Sequence, residues 1–122
     1  MDEITGRCLC GATRYSANGP PKFSIVCYCT DCQKVTGAGH APQLAVQSSG
    51  LDVKGPLRTH RAKADSGNDL AFQFCGDCGS PVIKSSSRMT DTVFVYAGSL
   101  DDPTLFQNPN PIFEDSRLPW DT

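Results

Sequence analysis

The spacing of the cysteines is the feature that most constrains how this chain folds. The sequence contains seven cysteines in three groups: Cys8 with Cys10, then Cys27, Cys29 and Cys32, then Cys75 with Cys78. Closely spaced thiols are typical of zinc sites, in which four ligands enclose a structural ion and three ligands leave one position open. Because an odd number of thiols cannot be fully paired in internal disulfides, the pattern favours metal binding.

Two assignments of these thiols to zinc sites follow from the spacing. In the first, the first and last pairs form a closed four-cysteine site, and the middle run forms an open three-cysteine site. In the second, Cys29 and Cys32 join the last pair as a zinc ribbon, which leaves three thiols without a role. The gap between those pairs is also longer than the roughly 15–20 residues common in ribbons. The first assignment is therefore favoured, and it predicts two Zn²⁺ ions per chain.

The three-cysteine run has two further interpretations. It could be a reactive dithiol. However, three thiols in one run, together with the Cys75–Cys78 pair elsewhere in the chain, fit zinc binding better. It could also be a purely structural zinc site with a fourth protein ligand, for which the candidates are His40, an acidic side chain and, more weakly, His60. A lone histidine is more often a packing or surface residue, so the open site is the preferred hypothesis.

Length and charge exclude several classes of protein. At 122 residues the chain is expected to form one domain, spanning residues 1–122. The net charge of -2 and the isoelectric point near 5.5 provide no basic excess for phosphates, so no nucleic-acid partner is expected. The first residues are acidic, and no apolar run approaches the roughly 20 residues of a membrane span. We therefore expect a cytoplasmic protein without a membrane partner, in which the thiols stay reduced.

Short apolar segments separated by glycine and proline predict an all-β domain of mainly antiparallel strands. No segment shows a sustained helical period. The predicted strands cover residues 23–26, 41–47, 51–54, 57–62, 70–74, 81–84 and 92–96. The tail from residue 103 onward contains four prolines and is predicted to be an ordered loop with few regular elements.

Two local predictions concern the cysteines directly. Residues 8–13 alternate in a way that fits a strand or strand edge, on which Cys8 and Cys10 would project to the same face. A helix of one or two turns is predicted to run through Lys34, capped by Thr30 or Asp31 and ended by Gly37 and Gly39.

The sequence resembles the glutathione-dependent formaldehyde-activating enzyme family. The resemblance is carried by GRCLCG at residues 6–11, CYCTDCQ at 27–33, FCGDCG at 74–79 and GSLDDP at 98–103. All seven cysteines fall at the family's positions in the family's order. The resemblance implies a β-tent, in which layered antiparallel sheets with minimal helix are built around zinc. It also implies a structural four-cysteine zinc and a three-cysteine zinc beside the glutathione site.

The implied activity is the addition of the glutathione thiol to formaldehyde, which gives S-hydroxymethylglutathione in a reversible carbon–sulfur lyase reaction. The predicted function is therefore a zinc-dependent lyase-type enzyme that acts on glutathione or a similar thiol and a small aldehyde. An open zinc would bind the substrate thiol or oxygen. Two alternatives are a non-catalytic zinc module that binds a protein partner and a glutathione carrier without turnover.

Two positions depart from the family pattern. Tyr28 and Pro111 stand where the family commonly has histidine. Tyr28 is the candidate catalytic residue, since its hydroxyl could donate a hydrogen bond into the site, and packing beside the loop is the alternative.

Glutathione carries two carboxylates, so the resemblance implies cationic partners in the site. The candidates are Lys34, Arg58, Arg61 and Lys63, for which a solvated strand face is the alternative interpretation. Trp120 is predicted to anchor the tail rather than to form a substrate platform.

Overall fold

The computed structural model describes residues 3–122 as two β-sheets and one short α-helix. The elements are β1 (Glu3–Arg7), β2 (Arg14–Asn18), β3 (Phe23–Cys27), α1 (Thr30–Thr36), β4 (Ala41–Gln47), β5 (Asp52–Lys54), β6 (Leu57–Lys63), β7 (Asp69–Cys75), β8 (Pro81–Ser86), β9 (Thr92–Tyr96) and β10 (Asn110–Ile112). The small sheet has the strand order β1-β2-β5, and the large sheet has the order β10-β3-β4-β9-β8-β7-β6. The predicted all-β class is confirmed.

The two central strands β4 and β9 are buried on both faces of the large sheet. Because successive side chains in a strand point to opposite faces, each strand contributes to two clusters of the core. Leu44 and Val95 pack toward the small sheet, whereas Ala45 and Phe94 pack on the opposite face. The second cluster also contains two of the cysteines. Its buried members are Ile25, Cys27, Cys32, Ala41, Ala45, Phe94 and Tyr96.

The tail contains one strand that the sequence did not predict. Strand β10 pairs with β3 in parallel, whereas every other strand pair in residues 3–122 is antiparallel. Pro111 lies within this strand, and proline is tolerated there because β10 is an edge strand. The pairing sets Ile112 opposite Cys27, so the tail lies beside the middle cysteines.

The strand or strand edge predicted for residues 8–13 is wrong, because these residues form a turn between β1 and β2. Gly11 adopts a left-handed conformation, with φ of 83°. The Cys8 N–H donates to the Thr13 carbonyl at 3.0 Å, and the Gly11 N–H donates to the Cys8 carbonyl at 3.2 Å. This turn brings Cys8 and Cys10 together, with their sulfurs 3.6 Å apart.

Helix α1 is confirmed, but neither Thr30 nor Asp31 caps it. Cys29 occupies the N-cap position, and its sulfur accepts a hydrogen bond from the Cys32 N–H at 3.3 Å. Gly37 ends the helix in a left-handed conformation, as predicted. Across residues 3–122, no helix has the length and apolar character needed to cross a membrane.

Candidate metal centres

The first and last cysteine pairs come together in a four-cysteine cluster. Its sulfurs, from Cys8, Cys10, Cys75 and Cys78, all lie within 4.8 Å of one another. A tetrahedral ion with zinc–sulfur bonds of about 2.3 Å would separate its sulfurs by about 3.8 Å. The distances from Cys10 to Cys8 and to Cys75, 3.6 and 3.9 Å, agree with that geometry. The cluster can therefore hold a metal ion such as zinc.

Hydrogen-bond donors surround the sulfurs of this cluster. The Thr13 N–H donates to Cys8 Sγ at 3.3 Å, and the Asp77 N–H donates to Cys75 Sγ at 3.4 Å. Ser80 Oγ lies 3.2 Å from Cys78 Sγ, and this hydrogen bond contributes most to lowering the pKa of Cys78, to about 5. Donors directed at sulfur favour the thiolate, which is the form that binds metal.

The middle cysteines form a separate three-cysteine cluster, consisting of Cys27, Cys29 and Cys32. Their sulfurs also lie within 4.8 Å of one another, and no histidine, aspartate, glutamate or further cysteine of residues 3–122 joins them. Cys27 ends β3, Cys32 lies on α1, and both are fully buried. Three soft ligands with one open position fit a zinc ion that can accept an exogenous ligand.

The pKa values of the three thiols are shifted in different directions. Hydrogen bonds from Cys27 and then Cys32 lower the pKa of Cys29 to about 2. The pKa of Cys27 is raised chiefly by its hydrogen bond with Cys29, and that of Cys32 by hydrogen bonds with both neighbours. Because zinc binds the thiolate form, metal binding at this cluster releases the protons that its thiols still carry.

Two polar side chains of the large sheet contact the three-cysteine cluster. Gln43 on β4 and Lys84 on β8 each place a side-chain nitrogen 3.5 Å from Cys32 Sγ. Burial lowers the pKa of Lys84, but the negative charge of the three cysteines outweighs it, so the pKa is raised overall and the ammonium stays charged. Lys84 therefore compensates negative charge on the cluster.

Lys84→Met is expected to weaken zinc binding at the three-cysteine cluster by about 10- to 100-fold, the range found when partners of metal ligands are removed. Three thiolates around Zn²⁺ leave a net charge of -1, and the methionine would remove the half-buried positive charge that offsets it. Competition with a chromophoric chelator measures the affinity, and Lys84→Arg, which keeps the charge, is the matched control. Equal affinities for Lys84→Met and the wild type would contradict the electrostatic role.

Tyr28 lies between the three-cysteine cluster and the tail. Its backbone N–H donates to the Ile112 carbonyl at 3.0 Å. Its ring contacts His40, with ring centroids 5.2 Å apart, and the Arg117 guanidinium lies 4.3 Å from the ring centroid. The contacts with Ile112 and Arg117 hold the tail against Tyr28. A catalytic role for Tyr28 stays a prediction.

His40 is not a member of either cysteine cluster among the described residues. Its Nδ1 lies 2.8 Å from Asp121 Oδ2 near the end of the tail. Trp120 is 68% exposed, so the ring does not anchor the tail by burial as the sequence suggested.

The predicted cations lie on solvent-exposed surfaces. Arg58, Arg61 and Lys63 are exposed on β6, and Lys34 is exposed on α1. Strand β6 is five positions from β3 in the sheet, or about 24 Å at the usual strand spacing. Lys63 also pairs with Asp69. For the three residues of β6, the structure agrees with a solvated strand face.

The sequence analysis missed Gln43, Lys84 and Tyr96, since none belongs to a recognisable motif. The sequence signal for Gln43 was a polar residue in the middle of the mostly apolar strand β4. In the structure its side chain is fully buried. A buried polar side chain needs a hydrogen-bond partner, and here a cysteine sulfur accepts from it.

A cleft of about 680 Å³ lies between the β1–β2 turn and the end of α1. Its walls include Cys8 of the four-cysteine cluster, and Tyr96, which packs with Cys27 and Cys32. Arg7 and His40 also line it. The cleft has room for a small molecule. Cys27, Cys29 and Cys32 do not line it, and Tyr96 is the residue that connects its wall to their core cluster.

Residues 3–116 match the sequence model of a family described as "Glutathione-dependent formaldehyde-activating enzyme". A crystal structure of a Rhodobacter sphaeroides protein from a structural genomics programme has a similar fold, with a TM-score of 0.68 and 19% sequence identity. The similarity covers 88% of this chain and 98% of that protein, and at this identity it shows the fold alone. No curated protein matches the chain.

Proposed function

Because the chain belongs to the glutathione-dependent formaldehyde-activating enzyme family, we propose that it catalyses the reversible addition of glutathione, or a similar thiol, to a small aldehyde. The reaction is of the carbon–sulfur lyase type. The observation that carries the proposal is the three-cysteine cluster, whose sulfurs lie within 4.8 Å of one another without a fourth protein ligand from residues 3–122. A closed structural site would use four ligands, so three support a site that accepts an exogenous thiol.

The proposal includes the role of each cysteine. The four-cysteine cluster would hold a structural zinc, and the three-cysteine cluster would hold a second zinc within the same single domain of residues 1–122. Zinc bound at the three-cysteine cluster would supply a Lewis acid and a position for the substrate thiolate. The seven free thiols suit a reducing compartment, which supports a cytoplasmic location.

The chemistry needs no oxidant or reductant. The thiol sulfur forms a bond with the aldehyde carbon, the π electrons of the carbonyl move to its oxygen, and the thiol proton ends on that oxygen. The reverse reaction breaks the carbon–sulfur bond and returns the proton to sulfur. The chain's part is to hold both molecules beside the three-cysteine cluster, while Lys84 offsets the negative charge of the sulfurs.

The test is the rate at which glutathione and formaldehyde exchange with S-hydroxymethylglutathione, measured by NMR exchange spectroscopy with and without zinc-loaded protein. We expect an exchange rate that rises in proportion to protein concentration. S-methylglutathione, which lacks the thiol, is the control for nonspecific effects. Thiol binding without a faster exchange would indicate a carrier. Neither binding nor faster exchange would reject the enzyme and favour a module that binds a protein partner.

A further inference from the structure

The Tyr96 hydroxyl is a buried polar group without a partner. Tyr96 ends β9, is only 6% exposed, and packs with Cys27 and Cys32 in one core cluster. Its hydroxyl is shielded from solvent and makes no hydrogen bond within the described part of the chain, residues 3–122. An unsatisfied buried donor is costly, so a partner from outside the chain would stabilise this hydroxyl.

A second unpaired polar atom lies on the neighbouring strand. Gln43 on β4 is the register partner of Tyr96, and residues directly opposite each other place their side chains on the same face, about 5 Å apart at Cβ. The Gln43 amide nitrogen donates to Cys32 Sγ, which leaves its Oε1 as a buried acceptor with no donor among residues 3–122. A free donor and a free acceptor therefore adjoin the three-cysteine cluster.

This pair matches the chemistry of a hydroxyl group. A hydroxymethyl oxygen can accept a hydrogen bond from a phenol and donate its own proton to an amide oxygen. A tyrosine phenol has an ordinary pKa of about 10, so it is protonated and able to donate at neutral pH.

We propose that Tyr96 donates a hydrogen bond to the oxygen of the aldehyde, or of the hydroxymethyl group formed from it, at the three-cysteine cluster, and that Gln43 Oε1 accepts from that hydroxymethyl group. The inference rests on the proposed function and extends it, because it assigns the residues that recognise the oxygen end of the substrate. The Tyr96 donor would stabilise the negative charge that develops on the carbonyl oxygen during addition. In the reverse direction it would hold the hydroxymethyl oxygen in place for cleavage of the carbon–sulfur bond.

The test compares two ligands and two variants by calorimetry on the zinc-loaded protein. S-hydroxymethylglutathione, formed from glutathione and excess formaldehyde, carries the hydroxyl, whereas S-methylglutathione does not. The wild type is expected to prefer the hydroxymethyl ligand by about 10-fold, the value of one good hydrogen bond, and Tyr96→Phe is expected to lose most of that preference. Tyr96→Phe should also slow the exchange reaction by about 10- to 100-fold.

Tyr15→Phe is the matched control, because Tyr15 is another buried tyrosine whose hydroxyl does have a partner. It lies 2.6 Å from Ser99 Oγ. Tyr15→Phe should therefore lower the thermal stability and leave the ligand preference unchanged, whereas Tyr96→Phe should leave the thermal stability equal or higher. Loss of stability in Tyr96→Phe would show a structural partner and overturn the inference.

The remaining outcomes separate the inference from the proposed function. If the wild type binds thiols and accelerates exchange, and Tyr96→Phe keeps both the ligand preference and the rate, the inference alone is overturned. A wild type that binds both ligands equally also overturns it. If the wild type binds neither ligand and does not accelerate exchange, the proposed function fails and the inference fails with it.

Discussion

Replacing Cys78 with serine is expected to lower the free energy of unfolding by about 4 kcal/mol, which is at the upper end for a single substitution and typical of losing a metal ligand. The four-cysteine cluster joins the β1–β2 turn to the β7–β8 turn, across about 65 residues of chain. Its metal-binding free energy therefore becomes folding free energy. Thermal unfolding of the zinc-loaded variant measures the loss, and a strong chelator should destabilise the wild type in the same direction.

Cys29→Ser is the matched comparison for this prediction. Both Cys29 and Cys78 are half-buried free thiols, so the two substitutions are matched in burial. Serine is a strong N-cap residue, so at Cys29 it can keep the hydrogen bond to the Cys32 N–H that begins α1. We therefore expect Cys29→Ser to change the unfolding free energy by only about 1 kcal/mol. Equal destabilisation by both substitutions would contradict the division into a structural and an open cluster.

The grouping of the thiols could be predicted from the sequence because it depends on spacing and number. Seven cysteines in three groups allow few arrangements, and a closed set of four with an open set of three leaves no thiol without a role. The strands β4 and β9 were also predicted with their observed bounds, since each is mostly apolar and lies between clear turn signals.

The features that the sequence did not predict depend on tertiary contacts. The alternation across residues 8–13 is typical of a strand, but these residues form a turn with Gly11 in a left-handed conformation. This turn places Cys10 beside Cys75, a contact between residues far apart in sequence. Strand β10 contains Pro111, and only its position at a sheet edge permits the pairing. Lys84 and Gln43 approach Cys32 from strands that are far from it in sequence, so no local pattern indicates their role.

Cys29→Ser is expected to lower the zinc content from two ions to one per chain and to weaken glutathione binding by about 100-fold or more, since even partners of metal ligands contribute 10- to 100-fold. A serine hydroxyl does not ionise at neutral pH, so the cluster would offer only two thiolates, and both of these are buried. Zinc analysis of the purified variant and titration with glutathione measure the two effects.

The control for this result is the four-cysteine cluster of the same variant. It should keep its zinc because none of its four sulfurs comes from Cys29. Loss of one zinc together with loss of thiol binding would link the open cluster to the substrate. Loss of one zinc with unchanged glutathione binding would place the thiol elsewhere, and the cleft lined by Arg7 and His40 would then have to bind glutathione without a metal. Retention of two zinc ions would contradict the assignment of Cys29 as a ligand. The three outcomes distinguish a metal-bound thiol from one held only by the protein surface.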